Sequence, residues 1–465
     1  MDTSTSGRLA RLGNCVAALK GGRRADERAR WPREQLLAYQ QDQLGALVAH
    51  ATKNSAFYRD LYGGVLDPGS VRLSDVPSVT KADWVASFDD VVTDPRLRID
   101  EVEAHLDRVR DDELHLGAYR VMASSGSTGR RGVYVWGTDD WHRMLGFVMR
   151  DTRARGEQPS IPRLRLAVVA APDARHMSAR ATRSLDAGIH RVLSLNAAAP
   201  LDELAAALQR YQPHKVMGYP SVISLLASEQ LAGRLEIAPR WVVTTGEMLT
   251  SDMAARIRDA WGVETTNNYA STEAGLMAAS CPEEGNLHLA EDGCIVEPVD
   301  DEGQPAPLGE PGTRVLLTSL LNRTQPVIRL EMSDEVALSP EPCPCGRTLG
   351  VISELRGRSD DILEFTGAAG TTTVHPIKVH AVFTSVPEVV SYQLVKRPQE
   401  LEVVIVPSGP VDGLPTRLTE TLTATLGELG VRDFPIRVRV TDHIPREPGP
   451  AKFKLVKNET APSTI

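Results

Sequence analysis

Between Leu164 and Tyr269, short apolar runs alternate with helix-like stretches, and this alternation constrains the fold more than any other feature. Leu164–Ala171, Ile189–Leu195, Val216–Met217, Trp241–Thr245 and Thr265–Tyr269 read as strands. Asp139–Arg155, Leu201–Tyr211, Ser221–Gln230 and Ser251–Ala260 read as helices. Strands separated by helices of this length predict an α/β fold with parallel sheets flanked by helices. Ligands of such sheets gather beyond the carboxyl ends of the strands. Three of those ends carry small polar turns: Gly218-Tyr219-Pro220-Ser221, Thr245-Gly246-Glu247 and Tyr269-Ala270-Ser271-Thr272-Glu273.

The rest of the chain falls into place around this core. Residues 35–63 show helical periodicity closed by Gly63-Gly64, and Thr80 can cap a short helix at Lys81-Ala82-Asp83-Trp84. From Leu287 to Ile328 the texture turns β-like, with runs at Cys294–Val299 and Thr313–Ser319, so a small β unit is expected. Residues 360–465 offer strands at Val389–Val395, Leu401–Val406 and Ile436–Val440 and a helix at Leu414–Leu429, enough for a small α+β domain. A chain of 465 residues exceeds one core. We therefore expect a large N-terminal domain over 1–359 and a small domain over 360–465. A net charge of −9 argues against a nucleic-acid partner. No run approaches the roughly 18–20 apolar residues of a membrane span. Five unevenly spaced cysteines favour a cytoplasmic protein over a disulfide scaffold. The Arg- and Ala-rich first 30 residues lack a signal-peptide core and read as an amphipathic or frayed segment, with Cys15 exposed.

Ser124–Gly132 reads Ser-Ser-Gly-Ser-Thr-Gly-Arg-Arg-Gly, between apolar runs at Tyr119–Ala123 and Val133–Trp136. Glycines let backbone N–H groups approach a polyanion as a nest, hydroxyls donate to phosphate oxygens, and arginine adds a charged fork. The stretch is either a triphosphate cradle or a Gly/Ser hairpin loop. It is not a Walker loop, because no Gly-Lys-Ser/Thr ends it and a strand follows.

This loop, Tyr269–Glu273, an Arg329…Asp334 pair, Gly357-Arg358-Ser359-Asp360-Asp361 and Ala451-Lys452-Phe453-Lys454 occur in that order. The set resembles the adenylate-forming superfamily of acyl-CoA synthetases, adenylation domains and luciferases. Phe57-Tyr58-Arg59, Lys81-Ala82-Asp83, Gly246-Glu247 and Pro326-Val327-Ile328-Arg329 make it most similar to the phenylacetate-CoA ligase family. The resemblance implies ATP-dependent activation of a carboxylic acid, an aromatic one, as an acyl-adenylate, then transfer to coenzyme A. It implies that Ser124, Ser125, Gly126, Ser127, Thr128 and Gly129 hold the β- and γ-phosphates. Thr272 would contact the α-phosphate and Glu273 would hold Mg²⁺, a hard cation suited to carboxylate oxygen. Asp334 would accept from both ribose hydroxyls, with Arg358 near ribose and phosphate. Gly246, Glu247, Asn268, Tyr269, Ala270 and Ser271 would line the nucleotide site, with Tyr219, Gly246 and Ala270 toward the acid. Asp360 matches the hinge of a mobile C-terminal domain, which would bring Lys452 to the developing charge. The resembled enzymes often pair through their N-terminal domain, so a homodimer is also an expectation.

Cys281, His288, Cys343 and Cys345 supply three thiolates and an imidazole, the inventory of a tetrahedral structural Zn²⁺ site. Some members of the resembled family carry zinc on such a set. Cys294 is the spare, a core residue or an alternative ligand. His142 and His176 have packing or surface roles, or sit near substrate. The chain departs from the family pattern after the hinge. Where Arg-Gly-x-Asn-Val-Phe-Pro is usual, Phe365–Pro376 has neither arginine nor asparagine. Two alternatives therefore stand beside coenzyme A transfer. One is transfer to an amine, a carrier-protein thiol or nitrite. The other, motivated by Ala451-Lys452 in place of Gly-Lys, is a nucleotide-binding relative without turnover.

Overall fold

The structure, a computed structural model, describes residues 5–63, 71–123, 132–157, 163–171, 173–358, 363–367, 370–374, 379, 382–383, 386, 388–445 and 453–459. The chain forms two compact units. The first takes residues 1–166, 171–194 and 266–355, and the second takes 167–170, 195–265 and 356–465.

In the first unit the N-terminal segment is a continuous helix, Thr5–Arg28, packed along the helix Thr138–Ala154. Its inner face carries Asn14, Cys15 and Ala18. Cys15 is therefore buried, not exposed, and its Sγ lies 3.3 Å from the carbonyl of Leu185. His142 meets Asn14 Oδ1 across the same contact at 2.8 Å, which is a packing role. The helical stretch predicted over 35–63 divides into Arg33–Asn54 and Ala56–Tyr62. Ser55 makes the break, accepting from Tyr58 N at 3.3 Å and donating its hydroxyl to Asp90 O at 2.7 Å. Thr80 caps Lys81–Ala86 as expected, through Asp83 N at 3.1 Å. Helices Ile99–Arg108 and Met177–Leu185 are additional to the expected elements.

The strands of this unit follow the order Asp334–Leu338, Val351–Arg358, Leu287–Leu289, Gly275–Ser280, Thr265–Ser271. The last four pair antiparallel, each with the next. The expected small β unit is the three-stranded sheet Cys294–Val299, Arg314–Ser319, Leu330–Met332. Tyr119–Ala123 and Val133–Gly137 form an antiparallel hairpin whose last pair is Ala123 with Val133. The core between these layers is aromatic. Trp84, Trp136, Trp141, Tyr58 and Tyr134 are almost wholly buried. Tyr58 Oη and Trp84 Nε1 both donate to the carbonyl of Pro326, at 2.8 and 3.1 Å.

The second unit contains the alternating α/β elements. Trp241–Thr245, Lys215–Gly218 and Arg165–Ala170 are neighbours in that order, and the first pair is parallel, as the strand–helix alternation predicts. Gly218 is required at its position, since a Cβ would stand 2.3 Å from the carbonyl oxygen of Val169. Helices Leu201–Tyr211, Pro220–Leu231 and Ser251–Trp261 follow the predicted stretches within a residue or two. A four-stranded sheet, Ile436–Val440, Leu401–Pro407, Val389–Lys396 and Val456–Asn458, is backed by the helix Leu414–Glu428. Leu414, Leu418, Leu422 and Leu426 bury one face of that helix at four-residue spacing.

Candidate active site

In the first unit the strand Thr265–Ser271 turns through residues 272–274 and returns as Gly275–Ser280. Glu273 lies on this turn and is 3% exposed. Its Oε1 accepts from Lys81 Nζ at 2.9 Å and from Tyr134 Oη at 2.7 Å. Lys81 opens the helix capped by Thr80. Tyr134 comes from the strand after the predicted phosphate loop, its ring stacked on Trp84 with centroids 5.7 Å apart. Burial pushes the Glu273 carboxyl up, but the Lys81 ammonium and the Tyr134 hydroxyl outweigh it and leave the pKa at about 2. The carboxylate is thus ionised and fixed inside the unit. Trp136 Nε1 donates to the carbonyl of Thr272 at 3.3 Å, and Ala274 N donates to Ser271 Oγ at 3.2 Å. Asn268 Nδ2 donates to Asp151 Oδ2 at 3.4 Å, and Tyr269 is nearly buried. Asp334 opens its strand and is buried. Arg329, in the left-handed region at φ 45°, ties Glu297 and the carbonyl of Val76 together.

In the second unit Gly246 follows the strand Trp241–Thr245 with φ +81°, which turns the chain back toward the next polar residue. That residue, Glu247, accepts on Oε2 from Ser221 Oγ at 2.5 Å and Ser221 N at 3.3 Å. Its Oε1 accepts from Phe453 N at 2.6 Å. Ser221 lies in the first turn of the helix Pro220–Leu231, which begins after Tyr219 with proline at its first position. A carboxylate suits that N-terminus. Tyr219 is buried.

Strand register also assembles the cysteines. Pairing of Val351 with His288, and of His288 with Ala279, sets Cys343 and Cys345 beside Cys281. The ligand atoms of Cys281, His288, Cys343 and Cys345 all lie within 4.8 Å of one another. His288 Nε2 is 3.3 Å from Cys345 Sγ. Tetrahedral zinc, with bonds of about 2.3 Å to sulfur and about 2.0 Å to nitrogen, needs donors roughly 3.5–3.8 Å apart, so the set fits that ion. Desolvation and the nearby Arg347 push His288 down to about 4, leaving the neutral imidazole a ligand requires. Burial lifts Cys345 to about 11. At Cys343 burial acts in the same sense, but hydrogen bonds from the Cys345 backbone and Asn286 outweigh it and pull the thiol down. Arg347 Nη1 stands 3.7 Å from Cys281 Sγ, and Asn286 Nδ2 3.6 Å from Cys343 Sγ, donors suited to thiolates. Cys294 is outside this group, buried near the carbonyl of Met277 with its thiol pushed up to about 12.

No family model matches the chain. Phenylacetate-coenzyme A ligase of Thermus thermophilus is 29% identical over 381 residues, covering 79% of each chain. The crystal structure of 2-hydroxyisobutyryl-CoA ligase in the postadenylation state, in complex with R3-HIB-AMP, superposes with a TM-score of 0.71 at 20% identity, covering 90% of this chain and 89% of that one. The chain is thus similar in sequence to a phenylacetate-CoA ligase and shares the fold of an acyl-CoA ligase. The amide bond synthetase McbA from Marinactinospora thermotolerans shares the fold at a TM-score of 0.52 and 20% identity, over 71% of this chain and 67% of that one.

Within this fold the sequence motifs sort as follows. Asn268, Tyr269, Ala270, Ser271, Thr272 and Glu273 lie on one strand and its turn, joined by Lys81, Tyr134 and Trp136. Tyr219, Gly246 and Glu247 lie on strand ends of the second unit, joined by Ser221 and Phe453. Ser124, Ser125, Gly126, Ser127, Thr128, Gly129, Asp360 and Lys452 lie outside the described residues, and Arg358 is described in its backbone alone, at the end of Val351–Arg358. Sequence reading missed Tyr134, Trp136 and the pairing of Lys81 with Glu273. Tyr134 and Lys81 stand 139 and 192 residues from Glu273, and no local spacing reports such contacts. The one available signal was a tyrosine and a tryptophan in a short strand directly after the loop.

Proposed function

We propose that the chain activates a carboxylic acid with ATP and Mg²⁺, forming an acyl-adenylate and pyrophosphate, and then passes the acyl group to coenzyme A with release of AMP. The observation that carries this reading is Glu273: an ionised, buried carboxylate on the motif turn, held through one oxygen by Lys81 and Tyr134. The sequence relative and the shared fold support it. In this reading Ser124–Gly129 hold the β- and γ-phosphates and Thr272 contacts the α-phosphate. Glu273 holds Mg²⁺, which neutralises phosphate charge when bound. Asp334 takes the ribose hydroxyls and Arg358 the adjoining phosphate. Gly246, Glu247, Asn268, Tyr269, Ala270 and Ser271 frame the nucleotide, with Tyr219 toward an aromatic acid. Asp360 is the hinge between 1–359 and 360–465, and Lys452 meets the developing charge. Cys281, His288, Cys343 and Cys345 hold a structural Zn²⁺. No helix among the described residues is long and apolar enough to cross a membrane, and we place the enzyme in the cytoplasm.

The test is ATP–pyrophosphate exchange over a panel of aryl and alkyl acids, followed by product formation with and without coenzyme A. Exchange that depends on an aryl acid is expected, and no exchange with any acid sinks the reading. A second acceptor is favoured by one observation. Leu363–Gly367 and Gly370–Val374 pair as a hairpin where the resemblance expects the arginine- and asparagine-bearing segment. An amine or carrier-protein thiol then replaces coenzyme A, and strict dependence on coenzyme A removes this alternative.

We also propose a homodimer through the Thr5–Arg28 helix. Leu9, Leu12, Val16 and Leu19 are 63, 46, 45 and 46% exposed and share one face at coiled-coil spacing. The stripe is symmetric in an antiparallel pair, with Leu9 opposite Leu19 and Leu12 opposite Val16. Leu12→Arg is expected to convert a dimer to a monomer by light scattering, with an unchanged melting temperature. A monomeric parent protein would refute the dimer.

A further inference from the structure

In the first unit a short strap, Cys345 to Val351, joins the cysteine–histidine set to the N-terminal helices. Both of its ends are fixed by that set. Cys345 is one of the four clustered ligands, and Val351 pairs in register with His288. Within the strap Arg347 faces the sulfurs, with Nη1 3.7 Å from Cys281 Sγ and 4.0 Å from Cys345 Sγ. The next residue reaches the other way. Thr348 N donates to Ala29 O at 3.0 Å, and its hydroxyl donates to Trp31 O at 2.7 Å. Those carbonyls belong to the corner between the helices Thr5–Arg28 and Arg33–Asn54. Arg33 Nη1 donates in return to Thr348 O at 3.1 Å. Leu349 is buried in one cluster with Ala29 and Leu36.

Glu291 adds a second fastening. It accepts from Arg33 Nη2 at 2.8 Å and from Gly350 N at 2.5 Å, so one carboxylate joins corner and strap. Glycine permits this approach, since a Cβ at residue 350 would stand 3.1–3.3 Å from the carboxylate. Residues 341–350 form neither helix nor strand. Holding such a segment to one course costs conformational entropy, and an ion bound at its start offsets that cost.

We infer that the strap is a metal-sensitive fastening: zinc on Cys281, His288, Cys343 and Cys345 sets whether the corner between the two N-terminal helices is docked. The inference rests on the zinc reading given above. With the ion bound, Cys345 is fixed and Thr348 and Gly350 meet the corner and Glu291. Without it, the strap loses its first anchor and the corner opens locally. The coupling is reciprocal, so a docked corner must favour zinc by the factor by which zinc favours docking.

The experiment uses the full chain as zinc-loaded parent, chelator-treated parent and Thr348→Val. Hydrogen exchange is followed in peptides covering 25–36, with 44–54 of the following helix as reference. Zinc affinity is measured by competition with a chromogenic chelator. Chelation is expected to speed exchange over 25–36 by at least about 10-fold and to affect 44–54 far less. Valine keeps the shape of Thr348 and removes its hydroxyl, and loss of one such hydrogen bond corresponds to about a 2- to 10-fold change. T348V is expected to speed exchange over 25–36 by about that factor with zinc bound, and to weaken zinc by a similar factor although residue 348 is no ligand. Unchanged protection over 25–36 after zinc is stripped overturns the inference, as does equal acceleration of 25–36 and 44–54. A T348V corner that loosens while zinc affinity stays at the parent value overturns it too. If T348V does not fold, the chelator comparison decides. A parent that takes up no zinc defeats the zinc reading and the coupling with it, whereas a zinc-bearing parent whose corner ignores the ion defeats the coupling alone.

Discussion

Glu273→Gln is expected to lower acid-dependent ATP–pyrophosphate exchange by at least about a hundredfold, the scale seen when a preorganised electrostatic group is removed from a reacting centre. Glutamine keeps the volume and can still meet the Tyr134 hydroxyl, so the turn at 272–274 should survive. What disappears is the negative charge that answers Lys81 at 2.9 Å and that would hold the divalent cation. Lys81→Met tests the pair from the other side. It strands a carboxylate that is 3% exposed, although Lys81 itself is 35% exposed and reaches water. The cost should therefore be about 2–3 kcal/mol, below the roughly 3–5 kcal/mol of a fully buried pair. The double variant K81M/E273Q should regain the melting temperature but not the exchange rate, since stability follows charge pairing and catalysis follows the carboxylate. The sign of the pH dependence follows from the depressed pKa. The Glu273 contribution to stability is complete above its ordinary value of 4.5 and is lost as pH falls toward about 2. Thermal melts of parent and Glu273→Gln over that window check it. Parent-level exchange in E273Q would remove Glu273 from the mechanism.

Cys343→Ser should be strongly destabilising. The parent is expected to carry about one zinc per chain by elemental analysis, and the variant none. Metal binding to a preassembled donor set is folding free energy, because the unfolded chain has no such set. Here the donors join the strands Gly275–Ser280, Leu287–Leu289 and Val351–Arg358, so losing the ion loosens three strands at once. A fall in melting temperature of about 5–10 °C is expected, equivalent to a few kcal/mol in a domain of this size. A strong chelator should reproduce it in the parent and add nothing in the variant. A metal-free parent of unchanged stability would show four clustered ligands without an ion.

Local pattern and motif order made much of this protein legible. The helices Leu201–Tyr211, Pro220–Leu231 and Ser251–Trp261, the parallel pair Lys215–Gly218 and Trp241–Thr245, and the Thr80 cap were all readable because periodicity and capping act over a few residues. Motif order singled out Glu273 and Asp334, and the inventory of thiols and imidazole singled out Cys281, His288, Cys343 and Cys345, which the fold brings together. Some local features were still hidden. Gly275–Ser280 (Gly-Leu-Met-Ala-Ala-Ser) is a strand with no polar–apolar alternation, and Cys15 looked exposed because nothing near it in sequence reveals the helix that covers it.

Which charges meet was decided by packing over long separations. Lys81 and Tyr134 reach Glu273 because a capped helix, a hairpin strand and a turn pack around one aromatic core. Cys343 reaches Cys281 because Val351 pairs with His288. Arg256 finds Val390 because a register shift frees one carbonyl. Residue type is a one-dimensional property, and it sufficed to name the ionisable groups. Their protonation, partners and reach depend on burial and on neighbours a hundred or more residues away, which exist only once the chain has folded.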